Sequence, residues 1–131
     1  MDTEKLKNEL APEFAKYRDD IVAVYLFGST ASGATSPSSD IDIAVLAHTN
    51  DKAGSATLKL NLYADLCRKL KRNDIDLVMM NSNGNLILND EIVRNGHILY
   101  SRNNEMRETF EQNVLHRAID FKFQRHYAMG V

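Results

Sequence analysis

A chain of 131 residues is of one-domain size and long enough to bury a hydrophobic core. Its 44% hydrophobic and 26% charged residues are those of an ordinary water-soluble protein, and a net charge of −2 offers no global basic footprint for nucleic acid. The single cysteine, Cys67, excludes an internal disulfide and a cysteine-based zinc site, and no apolar run or cationic-then-apolar leader suggests a membrane span or export, so a cytoplasmic location is expected.

Leu6, Leu10, Phe14 and Tyr17 recur at three-to-four spacing and predict an amphipathic helix over about residues 3 to 18. The run "IVAVYLF", 21–27, is β-branched and aromatic and predicts a strand that stops at Gly28. "STASGATSPSS" is small, polar and broken by Pro37, which predicts a short helical turn and then a loop. "DIDIAVL", 40–46, predicts a second strand, and leucines at 58, 62, 66 and 70 mark a helix over about 54 to 71. The cations of "CRKLKR" at its end are expected to complement the helix dipole, and Cys67 to be a buried, unreactive thiol.

"DIDLVMM", 74–80, predicts a third strand. A short helix follows around Leu86 to Arg94, stopped by Asn95-Gly96, and "HILY" then predicts a last short strand. Met106, Phe110, Val114, Ala118 and Phe121 outline a final amphipathic helix. The expected fold is mixed α/β (α+β), a small mixed sheet flanked by helices, in a single domain spanning 1–131 with its core at about 20–103.

The chemistry concentrates in the second and third strands. Side chains at i and i+2 of a strand share a face, so Asp40 and Asp42 point one way while Ile41 and Ile43 point into the core. Like charges so close repel, and partial burial raises the cost. No Lys or Arg stands within eight residues on either side to neutralise them. A hard divalent cation such as Mg²⁺ is the natural counter-charge for carboxylate oxygens. In the third strand Asp76, bracketed by Ile75, Leu77 and Val78, is the better candidate for a third ligand, whereas Asp74 at the strand's mouth is expected to be solvated. Three convergent carboxylates suit a two-metal phosphoryl or nucleotidyl transfer site.

Gly28 and Ser29 supply the complementary half. Glycine lets backbone approach a ligand closely, and N–H groups at a helix N-terminus hold phosphate. The Ser29 hydroxyl can donate to the same phosphate. Taken singly, a D-x-D pair is more often two solvated strand-end charges, and a lone G-S is a weaker signal still. Their spacing, with ten residues between Ser29 and Asp40, and the downstream Asp76 change the odds. Ala44 and Val45 rule against an EF-hand, and a P-loop lacks its G-K-[ST].

"GSTASGATSPSSDID" with "IDLVMM" resembles the G-S-x10-D-x-D and third-aspartate motifs of the DNA polymerase β-like nucleotidyltransferases. "LILNDEIVRNGHILYSRN", 86–103, further resembles the minimal nucleotidyltransferase (MNT) antitoxins that partner HEPN ribonuclease toxins. That resemblance implies that Asp40 and Asp42 bind both Mg²⁺ ions of an ATP complex. It implies that Asp76 binds the catalytic metal and helps activate the attacking hydroxyl, and that Gly28 and Ser29 hold the triphosphate. The reaction it implies is transfer of AMP from ATP to a tyrosine of the HEPN toxin, without direct nucleic-acid or membrane binding. Many relatives carry Arg where this chain has Ser32, so one cation of the family pattern is missing.

Two other functions compete: a small-molecule nucleotidyltransferase of the aminoglycoside-modifying kind, and an antitoxin that acts by binding alone. About thirty residues follow Tyr100, little for an acceptor pocket, which favours a macromolecular acceptor. The ending "FKFQRHYAMGV" is equally readable as an interaction surface or as a helix buried on most sides, and the four histidines show no metal-ligand spacing.

Overall fold

The computed structural model describes residues 3–28, 40–48, 51–82 and 84–128. In chain order the elements are helix α1 (Thr3–Ala15), strands β1 (Ile21–Phe27) and β2 (Ile41–Ala47), helix α2 (Lys52–Leu70), strand β3 (Ile75–Met79), helix α3 (Leu86–Asn95), strand β4 (His97–Ser101) and helix α4 (Asn104–Ala128). The expected turn and loop over 29–39, with Ser29 and Ser32, lie outside the described residues.

The four strands form one mixed sheet in the order β3-β2-β1-β4. β2 runs antiparallel to β1 and parallel to β3, and β1 runs antiparallel to β4. The parallel pair needs a crossover, and α2 provides it. Strand alternation then divides the core. Ile41, Ile43 and Val45 of β2, with Ile75 and Leu77 of β3, pack under α1 and α2 through Leu6, Leu10, Phe14, Leu62 and Leu66. Ala44, Leu46, Tyr25 and Met80 pack on the other face against Ile92 of α3, with Phe110 of α4 alongside.

Local chemistry explains where the helices start and stop. Asp51 caps α2 by accepting from Gly54 N–H at 3.1 Å, and Lys71, at φ 55°, ends it in the left-handed region. Asn85 caps α3 by accepting from Leu88 N–H at 3.0 Å. Gly96 does stop that helix, though its φ of −75° is not left-handed. Space demands the glycine: a Cβ there would lie 2.5 Å from Ile92 O and 3.2 Å from Leu26 O.

Beyond β3, the side chain of Asn81 accepts from Ala47 N–H at 2.7 Å and donates to Ala47 O at 3.0 Å, extending the β2–β3 ladder by one artificial rung. The apolar stripe expected along α4 is only partly a core stripe. Val114 and Ala118 are buried, but Met106 and Phe121 are 38% and 44% exposed, and Met106 borders a cavity shared with Val22 and Leu46 of the sheet. Cys67 is half-buried against the first core cluster. Among the described residues no helix is long and apolar enough to cross a membrane.

Candidate active site

Three strands bring the predicted residues to one end of the sheet. Asp42 pairs with Phe27 of β1 on one side and with Asp76 of β3 on the other. Two side chains level across neighbouring strands stand about 5 Å apart, so Asp42 and Asp76 face each other at that spacing. Ile41 and Ile43 anchor Asp42 from the opposite face, and Ile75 and Leu77 do the same for Asp76. Asp42 is half-buried, whereas Asp76 and Asp40 are exposed, Asp40 at the mouth of β2.

Gly28 completes the arrangement from β1. Its φ of +76° is a conformation that side-chain-bearing residues rarely adopt. A Cβ there would also overlap Asp42 Oδ2 and lie 3.1 Å from Asp42 Cγ. The Asp42 carboxylate therefore occupies the room that the missing side chain leaves. The backbone conformation is what requires Gly28, and any side chain there would also have to displace the Asp42 carboxylate. Ser29, the other predicted phosphate-holding residue, lies outside the described residues.

Electrostatics sets Asp42 apart. Its carboxyl is raised above the ordinary carboxylate range, first by burial and then by the charges of Asp76 and Asp40. All three causes disfavour its charge, and a cation between the carboxylates would offset them.

Sequence reasoning missed the neighbouring cation. Arg72 donates from Nη2 to Asp74 Oδ2 at 2.5 Å and from Nε to Asp74 Oδ1, a two-pronged pair at the start of β3. Asp74 is therefore ion-paired rather than merely solvated, and it is held below its ordinary range by Arg72. The Arg72 guanidinium is in turn strengthened by Asp74 and, at longer range, by Asp40. The backbone explains the proximity, since Asp74 O accepts from Ile41 N–H at 3.0 Å, directly beside Asp40. The signal available in sequence was the R-x-D spacing just before the third strand.

Among the described residues no three His, Cys, Asp or Glu side chains already enclose a point as a ready-made metal cage. The donor set nevertheless fits Mg²⁺. That ion is ordinarily held by one or two carboxylates, with water and substrate phosphates completing its shell. Oxygen-only donors at cross-strand spacing, one raised by burial and by the charges of its neighbours, meet that need.

A four-stranded mixed sheet with helices on both faces and acidic residues at one end is the layout of a nucleotidyltransferase domain. The chain belongs to the polymerase beta nucleotidyltransferase family, whose profile matches residues 8–105. No curated protein sequence matches it. Among solved structures it is similar to a chain of a toxin–antitoxin crystallised with AMP-PNP, at 26% identity over 95% of each chain and a TM-score of 0.75. The fold also matches the MntA–HpeT toxin–antitoxin in a mutant form, at 24% identity over 99% of this chain and 97% of that one, with a TM-score of 0.72. A third match is to the tri-AMPylated Shewanella oneidensis HEPN toxin in complex with MNT antitoxin, at 23% identity over 98% and 97%, with a TM-score of 0.71.

Proposed function

We propose that this chain, read as one minimal domain over 1–131, is an antitoxin nucleotidyltransferase that moves AMP from ATP to a tyrosine of a HEPN ribonuclease toxin and so silences it. The observation that carries the reading is the Asp42–Asp76 pair, level on parallel strands with Gly28 cleared away above Asp42. Similarity to a toxin–antitoxin chain crystallised with AMP-PNP, an ATP analogue, supports the choice of nucleotide and partner class.

Asp40, Asp42 and Asp76 would hold Mg²⁺, which when bound supplies neutralising charge to the phosphates. Gly28 and Ser29 receive the triphosphate, Gly28 through a left-handed backbone turn that glycine adopts readily. Asp76, exposed on β3, accepts the proton of the incoming tyrosine hydroxyl. The hydroxyl oxygen bonds to the α-phosphorus as the bond to pyrophosphate breaks, and pyrophosphate leaves. Positioning and charge compensation do most of the work in such a displacement.

The test is incubation of the purified chain with labelled ATP, Mg²⁺ and a HEPN protein, followed by mass analysis of that protein. Added AMP on tyrosine, dependent on metal and absent with Asp40→Ala/Asp42→Ala, is the expected result. Tight complex formation without transfer would instead make the chain a binding-only antitoxin.

A further inference from the structure

Register places a fourth acid beside the three. β2 and β3 set Ile41 level with Ile75 and Asp42 level with Asp76. One residue earlier the same register sets Asp40 level with Asp74, whose C=O accepts from Ile41 N–H at 3.0 Å. Strand alternation sends all four carboxylates to the face opposite Ile41 and Ile75. Neighbours across the strands stand about 5 Å apart, and neighbours along each strand roughly 7 Å. The array therefore presents two acidic pairs: Asp42–Asp76, which adjoins Gly28, and Asp40–Asp74, one step farther out. One or two carboxylates are all that Mg²⁺ requires of a protein, so either pair could draw the ion. Only the inner pair adjoins the proposed phosphate seat, and misplacement by about 1 Å already costs on the order of 10²-fold in rate.

Arg72 closes the outer pair. Its Nη2 donates to Asp74 Oδ2 at 2.5 Å and its Nε to Asp74 Oδ1, so both oxygens are taken and the charge is cancelled. The turn that delivers the guanidinium is braced from α2. Lys71 sits at φ 55°, Arg72 N–H donates to Cys67 O at 3.2 Å, and the Tyr63 hydroxyl donates to Asn73 O at 3.2 Å. By contrast, neither Asp42 nor Asp76 forms an ion pair among the described residues. One acidic cluster is thus split into a part already satisfied and a part left for a cation.

We propose that Arg72 is a positioning residue: by occupying both oxygens of Asp74 it withdraws the fourth carboxylate and confines the divalent cation to Asp40, Asp42 and Asp76. The proposal rests on the metal-dependent AMP-transfer reading above. It makes the need for Arg72 conditional on the charge of Asp74, which a role in tying the turn or in touching substrate does not.

Two readouts test that condition. Mn²⁺ is titrated into the chain without nucleotide or partner, and the free ion is counted by electron paramagnetic resonance. AMP transfer to a purified HEPN protein is measured beside it. Arg72→Met, which keeps the apolar stem, is expected to bind about one further Mn²⁺ per chain, or the same number about tenfold tighter, and to transfer AMP about tenfold more slowly. Arg72→Lys, whose ammonium is a point charge without the fork, is expected to fall between. Arg72→Met/Asp74→Asn is expected to return both readouts to within about twofold of the parent, because the charge that Arg72 hides is then gone.

Unchanged Mn²⁺ binding in Arg72→Met overturns the proposal. So does a double variant as slow as Arg72→Met, which would mean that Arg72 acts on the substrate itself. Unfolding of both variants, read by circular dichroism, also overturns it and makes the pair a part of the fold alone. The Mn²⁺ arm needs no acceptor. A parent chain that modifies no HEPN protein therefore refutes the AMP-transfer reading, while Mn²⁺ binding still decides the role of Arg72.

Discussion

Asp42 and Asp90 are carboxylates of one small domain that receive opposite treatment. Asp90, on α3, is only 4% exposed, and Arg94 Nε donates to it at 2.8 Å and Lys122 Nζ at 3.1 Å. Burial alone would raise its carboxyl, yet the two cations outweigh burial and hold it low. Asp42 is less buried, faces Asp76 and Asp40, and is raised. The same chain therefore pairs an acid thoroughly where α3 meets α4 and stacks acids against one another at the mouth of β2 and β3. The lesson is that the crowding at Asp42 is local and specific, not the sign of a general shortage of cations. Tyr25 follows the Asp90 pattern. Its buried hydroxyl donates to Glu111 at 2.7 Å, Arg107 steadies Glu111 at 3.0 Å, and burial with that bond pushes the phenol far up.

The sharpest way to break the comparison is to remove charge from Asp42. Asp42→Asn is expected to lower AMP transfer about 10³-fold or more while raising Tm at pH 7 by roughly 2–4 °C, read by thermal unfolding. The sign follows from linkage. A carboxyl raised on folding holds its proton more tightly in the folded chain, so its charge opposes folding above that pKa, and the opposition lifts as pH falls through it. The gain in Tm should thus shrink on acidification through the carboxylate range. Mg²⁺ should stabilise the parent and leave Asp42→Asn nearly unmoved.

Gly28→Ala comes next. Left-handed strain and overlap with Asp42 should together cost roughly 1–3 kcal/mol and about 10²-fold in transfer, measured by denaturant unfolding and turnover. Asp90→Asn tests the other side: a loss of roughly 1–3 kcal/mol, with transfer per folded molecule unchanged. Because Asp90 is held low, its contribution is present above the unfolded carboxylate pKa and fades as pH falls through the folded one. The smallest effect is expected for Tyr25→Phe, about 1 kcal/mol, from one lost hydrogen bond.

The strands and the helices were legible in sequence because each rests on local periodicity, and the common face of Asp40 and Asp42 because it rests on residues two apart. Gly28 was legible as a point of close approach, but only the sheet register reveals that Asp42 fills its missing side chain. The pairings of Arg72 with Asp74, Tyr25 with Glu111, and Asp90 with Lys122 were not read. In the last two the partners lie 86 and 32 residues apart and meet only through packing. Arg72 stood in a basic cluster assigned to the α2 dipole, and the left-handed turn at Lys71 is what swings it to β3 instead. Exposure of Met106 and Phe121 was hidden for a related reason: periodicity marks a face, whereas tertiary packing decides how much of that face is covered.

The false rung made by Asn81 has a bearing on accuracy rather than strength. In a parallel pair a slip of one residue turns every side chain to the other face. Such a slip between β2 and β3 would send Asp76 into the core and leave Asp42 level with a leucine or an isoleucine. By gripping both the N–H and the C=O of Ala47, Asn81 admits only one alignment. It works as a stop at the far end of the strands, where an error can be refused before it reaches the acids five residues away. A side chain that touches no substrate thereby keeps two others in step.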